Sequence, residues 1–563
     1  MQKLKKYNVL PDLIQDLKIF LVESLGDDVL IDDIEFLRPS DEVMGDISTN
    51  FALKKASKFK KKPRDFAQEL KLIVEKSTFS VNFNKIETAG PGFLNFYFSD
   101  LFISNGLQYI KNVDKAYGSS NIGNGKNIIF EFVSANPTGP LTIAHARQAA
   151  VGDTLCRIYK KIGYHVCAEY YLNDRGVQIY NLGHSVYSRY MEKCGFKADF
   201  PENGYKGEYI VDLAESIFQD ENKKYVDWEK EKAISAFSDK AYHVIFDEIK
   251  NDIKEFNVHF DTWFSERKLE EEGRIENALK DLQDKKIAYE KDGALWFRTT
   301  DFGDDKDRVL VKSDGSTTYL ASDIPYHWDK LKRGFGKLVN LVGPDHHGYI
   351  SRLKAAVDAY DEKGSEKLKV LIVQLVTLYR GKTQVRMSTR LGEFISLREL
   401  IDEVGIDAAR YYFARRKPES LLDFDIELAK QQTPDNPVFY VQYVYARIAS
   451  ILRKYKEQFG NRKINPYGDL NWNSMENGDR SLIKSLLRFP DTVKGAALNF
   501  EPQRITLYLE NLAAVFHSYY NKNKILDPDN TEKMDMRIHI IKSVALIIKN
   551  GLEIVGAGAP EKM

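Results

Sequence analysis

Hydrophobic positions recur along this chain in three textures, and each predicts a different kind of module. Over the first ~110 residues the spacing predicts a helix over 12–23. It is followed by a region, 86–98, that ends in the strand-like run Phe93-Leu94-Asn95-Phe96-Tyr97-Phe98 after the turn Gly90-Pro91-Gly92, an α+β pattern. Beyond a Gly/Ser/Asn-rich linker at 117–126 the texture changes to short continuous apolar runs. Ile128-Ile129-Phe130 is the first, and 165–172, 337–342 and 370–375 follow, as expected of strands covered on both faces. A helix over 145–161 and other helical stretches separate these strands, so the pattern predicts a doubly wound α/β domain from about residue 120 to about 400. Residues 185–310 interrupt it. They are charged and helix-like over 223–286, carry a Trp-bearing strand at 294–298, and read as an insertion between two halves of the sheet. From 434 onward Tyr440, Tyr443, Val444, Ile448, Ile451, Leu452 and Tyr455 follow helical spacing. So do Ile505, Tyr508, Leu509, Leu512, Ala513 and Phe516, which predicts a helical bundle. The boundaries expected are 1–116, 117–184, 185–310, 311–433 and 434–563.

Composition narrows the classes. A length of 563 residues suits about four modules. Lys and Arg number 82 and so do Asp and Glu, so any nucleic-acid binding must use local patches rather than bulk charge. One such patch is the run 54–64, with seven basic residues in eleven and no acid. No apolar run approaches a membrane span, and the first residues lack the pattern of a signal peptide. Three cysteines (Cys156, Cys167, Cys194) without a CxxC support neither a disulfide framework nor a Cys-rich zinc site. The expectation is a multidomain protein of the cytoplasm with no membrane partner.

Two segments carry chemistry. In Ser134-Ala-Asn-Pro-Thr-Gly-Pro-Leu-Thr-Ile-Ala-His145 a strand ends, a Pro/Gly loop follows and a helix begins. The free N–H groups and positive dipole end of that helix lie where α/β sheets bind ligands. His145 there either hydrogen-bonds a phosphate or ribose oxygen or caps the helix. The second segment, Arg386-Met-Ser-Thr-Arg390, flanks small polar residues with two guanidinium groups, which match phosphate oxygens geometrically.

Together the two segments resemble the HIGH and KMSKS signatures of class I aminoacyl-tRNA synthetases. The resemblance narrows to the arginyl-tRNA synthetase family through the run Glu131-Phe-Val-Ser-Ala-Asn-Pro-Thr-Gly-Pro, Asn173-Asp174, Tyr319-Leu-Ala-Ser-Asp323, Gly343-Pro-Asp-His-His-Gly348, Gly405-Ile-Asp-Ala-Ala-Arg410, the stretch 435–447 and the ending Ala559-Pro-Glu-Lys-Met563. Gly45-Asp-Ile-Ser-Thr-Asn-Phe-Ala52 and Ala89-Gly-Pro-Gly-Phe-Leu-Asn95 resemble that family's N-terminal additional domain, so the match spans nearly the whole chain in order.

The resemblance implies a Rossmann-type catalytic domain with an inserted subdomain, an N-terminal tRNA-binding domain and a helical anticodon-binding domain. It implies ATP-dependent charging of tRNA(Arg) with L-arginine through arginyl-adenylate, with Mg²⁺ accompanying ATP and a monomer as the default state. By the same resemblance Glu131 and Asn136 hold the amino acid's backbone end, and Tyr319 and Asp323 face its guanidinium. Ser134 and His347 complete the arginine set. Pro137, Gly139, His145, Gly343, Asp345, His346 and Met387 are the ATP set, and Thr142, His145, Arg386, Ser388 and Arg390 the catalytic set. Asn50, Lys60, Lys61, Tyr445 and Arg447 are the tRNA candidates, and no residue is assigned to a protein-held metal. Tyr440 and Tyr443 fall on the bundle's apolar stripe and read as core, whereas Tyr445 falls off it.

The chain departs from the family pattern at both signatures. Thr142 and Ala144 stand where the first motif has histidine and glycine, and the second motif lacks its central lysine. Arg386, Arg390, Lys382 and Arg147 are the candidates to supply that charge. A non-catalytic tRNA-binding paralogue is the alternative. A free-standing nucleotidylyltransferase would not need the flanking modules. A cysteinyl enzyme would need a zinc cluster, and a valyl or isoleucyl enzyme a larger insertion.

Overall fold

The computed structural model describes residues 9–26, 29–39, 42–385, 395–460 and 462–563. The N-terminal module contains α1 (Leu10–Leu25), β1 (Ile47–Thr49), α2 (Phe51–Lys55), α3 (Pro63–Glu75), β2 (Phe83–Ala89), β3 (Phe93–Phe98) and α4 (Asp100–Val113). Its sheet runs β1-β3-β2, all antiparallel. α1 is amphipathic in the expected way, with Leu10, Leu13, Leu17 and Leu21 turned inward.

The middle of the chain builds a five-stranded parallel sheet. In chain order come β4 (Asn127–Glu131), α5 (Ile143–Lys161), β5 (His165–Leu172), α6 (Val177–Lys193), α7 (Glu208–Glu221), α8 (Lys230–Glu255), β6 (Thr262–Ser265), α9 (Glu266–Glu271) and α10 (Arg274–Asp284). A small antiparallel sheet, β7 (Ala288–Lys291), β8 (Ala294–Phe297) and β9 (Arg308–Val311), precedes α11 (Tyr319–Lys332), β10 (Lys337–Val342), α12 (Ile350–Asp358) and β11 (Leu368–Ile372). The main sheet has the order β11-β10-β4-β5-β6. The chain starts at β4, lays β5 and β6 on one side and then crosses to place β10 and β11 on the other. The switch point, where such sheets hold ligands, is therefore at the carboxyl end of β4. Ile128, Ile129 and Phe130 are fully buried, as a strand covered on both faces requires.

Two sequence expectations are corrected here. The stretch 185–310 does not stay outside the sheet. β6 pairs in parallel with β5 and forms its edge, and its four residues are too short a run among charged neighbours to stand out as a strand. α9, α10 and the β7–β9 sheet gather Leu269, Ile275, Leu282, Phe297 and Leu310 into a second core, which they share with Leu320, Ile324 and Trp328 of α11 and Ala355 of α12. The last strand spans 368–372 rather than 370–375, because Val373 N–H makes the final bond to β10, at the Val342 carbonyl, and Gln374 N–H turns to the Pro418 carbonyl.

A second small sheet follows, β12 (Val376–Arg380), β13 (Thr383–Gln384) and, beyond α13 (Leu397–Val404) and α14 (Ile406–Ala414), β14 (Leu422–Asp425) and α15 (Ile426–Lys430). The bundle comprises α16 (Pro437–Phe459), α17 (Asn477–Leu486), α18 (Phe489–Asn499), α19 (Gln503–Lys522) and α20 (Thr531–Val555). The N-terminal module rests on this bundle. Asp100 takes a two-pronged pair from Arg480 (2.7 and 2.8 Å), and Asp46 pairs with Lys484 at 2.8 Å. No helix among the described residues is long and apolar enough to cross a membrane.

Candidate active site and tRNA surfaces

At the carboxyl end of β4 three polar residues stand in register across adjacent strands. Glu131 lies opposite Asn340 on β10 and opposite Glu169 on β5. All three are served by α11. Lys330 Nζ, fully buried, donates to Glu131 Oε2 at 2.6 Å and to Asn340 Oδ1 at 3.4 Å. Tyr326 Oη donates to Glu169 at 2.8 Å, and Arg333 pairs with the same carboxylate at 2.7 Å. Burial pushes the Glu131 carboxyl up, but Lys330 and His327 outweigh it, so it is held below the ordinary glutamate value.

Asp323 lies on the same helix one turn below Tyr319, as the four-residue spacing predicts. Its carboxyl is desolvated and close to Glu131 and Glu266, and its pKa is pushed up to about 7 although Tyr349 Oη donates to it. Glu266, the first residue of α9, is buried beside Tyr171 and Ser322, and burial raises it as well. Three acids thus converge against one internal lysine, an arrangement that accepts an incoming cation with several acceptors. Glu266 and Lys330 are missing from the sequence-derived set. Glu266 follows the strand that the pattern hid, and Lys330 looks like an ordinary helix-face lysine until α11 is docked. Tyr319 itself opens the helix and is 68% exposed, at the rim of the site rather than at its floor.

The loop after β4 is strained. Val133 and Ser134 have φ of 68° and 42°, a conformation costly for a β-branched side chain and found where a loop is held for function. Ser134 Oγ takes the Tyr171 N–H at 3.1 Å, and Asn136 donates to Gln178 at the start of α6. Pro137 is buried, and Gly139 leaves room for Tyr209, whose hydroxyl would lie 3.0 Å from a Cβ there and which donates to the Thr138 carbonyl at 2.8 Å. α5 then starts at Thr142, whose N–H donates to His145 Nδ1 at 3.1 Å. His145 therefore caps the helix and, with Nδ1 accepting, carries its proton on Nε2. Burial lowers its pKa to about 4, so the ring is neutral.

Gly343, Asp345, His346 and His347 form the turn after β10, on the other side of the switch point, with the last three side chains exposed. Arg386, Met387, Ser388 and Arg390 lie outside the described residues. The segment after them is tied to the first motif, since Leu397 N–H donates to the Leu141 carbonyl at 2.7 Å and Ser396 bridges Thr142. Lys382 is exposed in the turn between β12 and β13. Arg147 is corrected. It is fully buried and spends its guanidinium on backbone carbonyls, so it presents no charge to a ligand.

Two further surfaces hold the remaining candidates. In the N-terminal module Pro63, at the end of the basic run, packs against Gly92, which brings that run beside the Gly90-Pro91-Gly92 turn. Lys54, Lys55 and Lys61 are paired with Glu35, Asp33 and Glu69, whereas Lys60, Lys62 and Arg64 are exposed. The run is less positive than its composition suggests. Asn50, at the start of α2, keeps a buried Oδ1 without a hydrogen-bond partner. In the bundle a groove of about 880 Å³ runs between α16, the end of α19 and the chain terminus, and is lined among others by Tyr443, Arg447, Tyr520 and Met563. The Arg447 guanidinium sits 4.7 Å from both the Tyr443 and the Tyr520 ring centre. Tyr443 thus walls this groove instead of entering the core. Tyr445 lines a neighbouring hollow with Leu452 and Lys456, and Tyr440 is half-buried against His517.

A parallel nucleotide-type sheet with its switch point at a strained loop, followed by a helical module, is the architecture of class I aminoacyl-tRNA synthetases, and the match of residues 108–433 to their catalytic domain places the chain in that class. Comparison with known proteins narrows the class. Residues 12–98 match the arginyl tRNA synthetase N-terminal domain, 108–433 the class I (R) synthetase catalytic domain and 441–563 the DALR anticodon binding domain. The arginine--tRNA ligase of Geobacillus kaustophilus is 46% identical over 529 residues, 93% of each chain. That of Bacillus subtilis is 43% identical over 545 residues, 96% of this chain and 97% of the other. The Thermus thermophilus arginyl-tRNA synthetase structure shares the fold with a TM-score of 0.75 at 20% identity, over 98% of this chain and all of that one. The chain belongs to the arginyl-tRNA synthetase family.

Proposed function

We infer that this enzyme joins L-arginine to tRNA(Arg) in two steps. The arginine carboxylate attacks the α-phosphorus of ATP, the bond to the β-phosphate breaks, and diphosphate leaves. A hydroxyl of the tRNA's terminal ribose then attacks the carbonyl carbon of arginyl-adenylate, and AMP leaves. No covalent enzyme intermediate is needed, so the protein contributes position and charge. The observation that carries this reading is the convergence of Glu131, Asp323 and Glu266 beside Lys330 at the carboxyl end of β4. Guanidinium is the cation whose flat fork engages several carboxylates at once.

Asp323 and Glu266 hold the guanidinium, and Asn136 and Ser134 the backbone end of arginine. His145 Nε2–H and the free N–H groups at the start of α5 face the nucleotide phosphates. Arg386 and Arg390 supply the cations of the second motif. Mg²⁺ enters with ATP and is held mainly by phosphate oxygens. The tRNA is gripped at its corner by the N-terminal module and at its anticodon by the groove around Arg447. The working unit is a cytoplasmic monomer. Arginine-dependent ATP–diphosphate exchange, run with and without tRNA, tests the reading. Absence of exchange with arginine in both conditions overturns it.

A further inference from the structure

We propose that Asp174 is a positioning residue for arginine recognition: its carboxylate fastens both chain neighbours of Glu266 and so fixes that acid where a guanidinium meets it. The inference rests on the assignment of Glu266 to the guanidinium given above.

Asp174 follows β5 by two residues and is 4% exposed. Its Oδ2 accepts the Ser265 hydroxyl at 2.6 Å, and its Oδ1 accepts the Arg267 N–H at 2.8 Å. Glu266 lies between those two donors in sequence. One carboxylate therefore holds the residue before Glu266 and the residue after it. The clamp is returned, since Arg267 Nη2 and Nε donate to the Asp174 carbonyl at 3.0 and 3.3 Å. The same guanidinium sits 5.7 Å from the Tyr242 ring centre of α8. Ser265 Oγ also accepts the Lys268 N–H at 3.3 Å and so caps α9. A serine hydroxyl serves both ends because it donates once and accepts as well.

Regular structure alone gives Glu266 little support. β6 has four residues, lies at the edge of the sheet and pairs only with β5, where Ser265 stands opposite Leu172. α9, which Glu266 opens, has six. The Glu266 carboxyl is buried beside Tyr171 and Ser322 and close enough to Asp323 for the two acids to repel each other. Bonds to an ionised carboxylate are roughly twice as strong as neutral ones, which suits Asp174 to hold the backbone against that repulsion. Asparagine would offer one oxygen and set its NH₂ against the second donor, leaving a buried group unpaired. Asp323 is carried by α11 and bonded by Tyr349, independently of the clamp. Releasing the clamp therefore changes the spacing between two acids that grip one flat cation, and a misplacement of 1 Å costs on the order of 10²-fold. The start of α5, with His145, keeps its own cap.

The test is ATP–diphosphate exchange with tRNA present, on the full-length enzyme and its Asp174→Asn, Glu266→Gln and doubly substituted forms, with thermal unfolding followed alongside. Glu266→Gln is expected to raise the KM for arginine about 10²-fold and Asp174→Asn about 10-fold or more, each with a KM for ATP within about twofold of the parent. The double form is expected to be no worse for arginine than Glu266→Gln alone, because the group that Asp174 positions is already lost. Ser265→Ala removes one donor and is expected to raise the KM for arginine about 3–10-fold, and Ser265→Thr, which keeps the hydroxyl, to recover most of that loss. This second pair decides the matter if Asp174→Asn does not fold. Effects that multiply in the double form overturn the proposal, and so does a parallel rise of both KM values, which marks general loosening. A raised KM for arginine in Glu266→Gln with none in folded Asp174→Asn overturns the proposal alone. An unchanged KM for arginine in Glu266→Gln instead removes Glu266 from the guanidinium site, and the proposal falls with that reading.

Discussion

Lys330 Nζ lies 2.6 Å from Glu131 Oε2 with no solvent reaching the lysine, so the strand that opens the catalytic sheet and the helix that carries Asp323 are joined by a buried ion pair at the floor of the proposed arginine site. Removing one partner of such a pair leaves the other charge buried and alone, at a cost of about 3–5 kcal/mol. Lys330→Met is expected to lower stability by about that amount in urea titration and to weaken arginine binding. The double variant Lys330→Met with Glu131→Gln is expected to regain much of the stability without regaining activity. A double variant no more stable than the single one would show that the pair is not coupled.

Asp323 gives the proposed arginine site a pH signature. Desolvation, with Glu131 and Glu266 close by, lifts its carboxyl to about 7 in the free enzyme. A guanidinium beside it favours the ionised form, so the pKa falls on binding and a proton is released. The sign is set by the free enzyme holding the proton and the complex losing it. Arginine affinity therefore rises as pH rises toward 7 and levels off above. At pH 6 the free carboxyl is about nine-tenths protonated, so calorimetry in buffers of different ionisation heat is expected to find close to one proton released per arginine, and almost none at pH 8.5. Asp323→Asn is expected to abolish the release and to raise the KM for arginine far more than that for ATP. A KM for ATP that rises while that for arginine stays fixed would remove Asp323 from the arginine site.

On the proposed assignment, the same acids are expected to decide between arginine and its neutral isostere. Citrulline leaves desolvated carboxylates without their charged partner, which a site built on hydrogen bonds rejects by roughly 10⁴-fold or more. Charging of tRNA with labelled citrulline at a rate near that of arginine would contradict the cation-binding role of Asp323 and Glu266.

His145 and Thr142 divide the first motif unevenly. Thr142 offers His145 Nδ1 two donors, its backbone N–H at 3.1 Å, which any residue other than proline keeps, and its Oγ1 hydroxyl at 3.2 Å, which alanine lacks. His145→Ala removes both the helix cap and the Nε2–H donor, and is expected to slow activation by about 10²–10³-fold. Thr142→Ala is expected to cost less than tenfold and about 1 kcal/mol of stability. Because burial holds His145 near a pKa of 4, the ring stays neutral between pH 5.5 and 8, and the activation profile is expected to carry no limb from it. A larger loss at Thr142 than at His145 would reverse the assignment.

How much of this was readable in the chain depends on the kind of signal. β4, β5, β10 and α5 were legible because their apolar runs and caps agree with the tertiary packing. β6 was not, because four residues at a sheet edge leave no periodic trace among charged helices. Glu131, Asn136 and Asp323 stood in recognisable motifs. Lys330 and Glu266 acquire their meaning only when α11 and β6 are docked against β4, a long-range relation that local pattern does not encode. Arg147 misled for the same reason, since an arginine beside a phosphate-binding motif reads as a ligand until its burial is seen. Tyr443 followed the apolar stripe and yet walls a groove, because aromatic rings at the margin of a stripe serve a core and a surface equally well.

The two proposed tRNA surfaces differ in physical character, and salt is expected to separate them. In the bundle groove Arg447 is held between Tyr443 and Tyr520, so its contribution is stacking with little change in counterions. In the N-terminal module Lys60, Lys62 and Arg64 are exposed, and under the proposed tRNA role each phosphate they contact releases counterions. Replacing those three residues by alanine is expected to weaken tRNA binding and to reduce the slope of log K against log salt by up to about 3. Arg447→Ala is expected to weaken binding by about 1–3 kcal/mol while changing the slope by no more than about 1. Lys54, Lys55 and Lys61 already pair with Glu35, Asp33 and Glu69, so alanine at those positions is expected to change the slope less than alanine at the exposed three. Dissociation constants for tRNA at four or more salt concentrations decide the matter. An unchanged slope in the folded triple variant would make the N-terminal module a brace rather than a reader of the tRNA backbone.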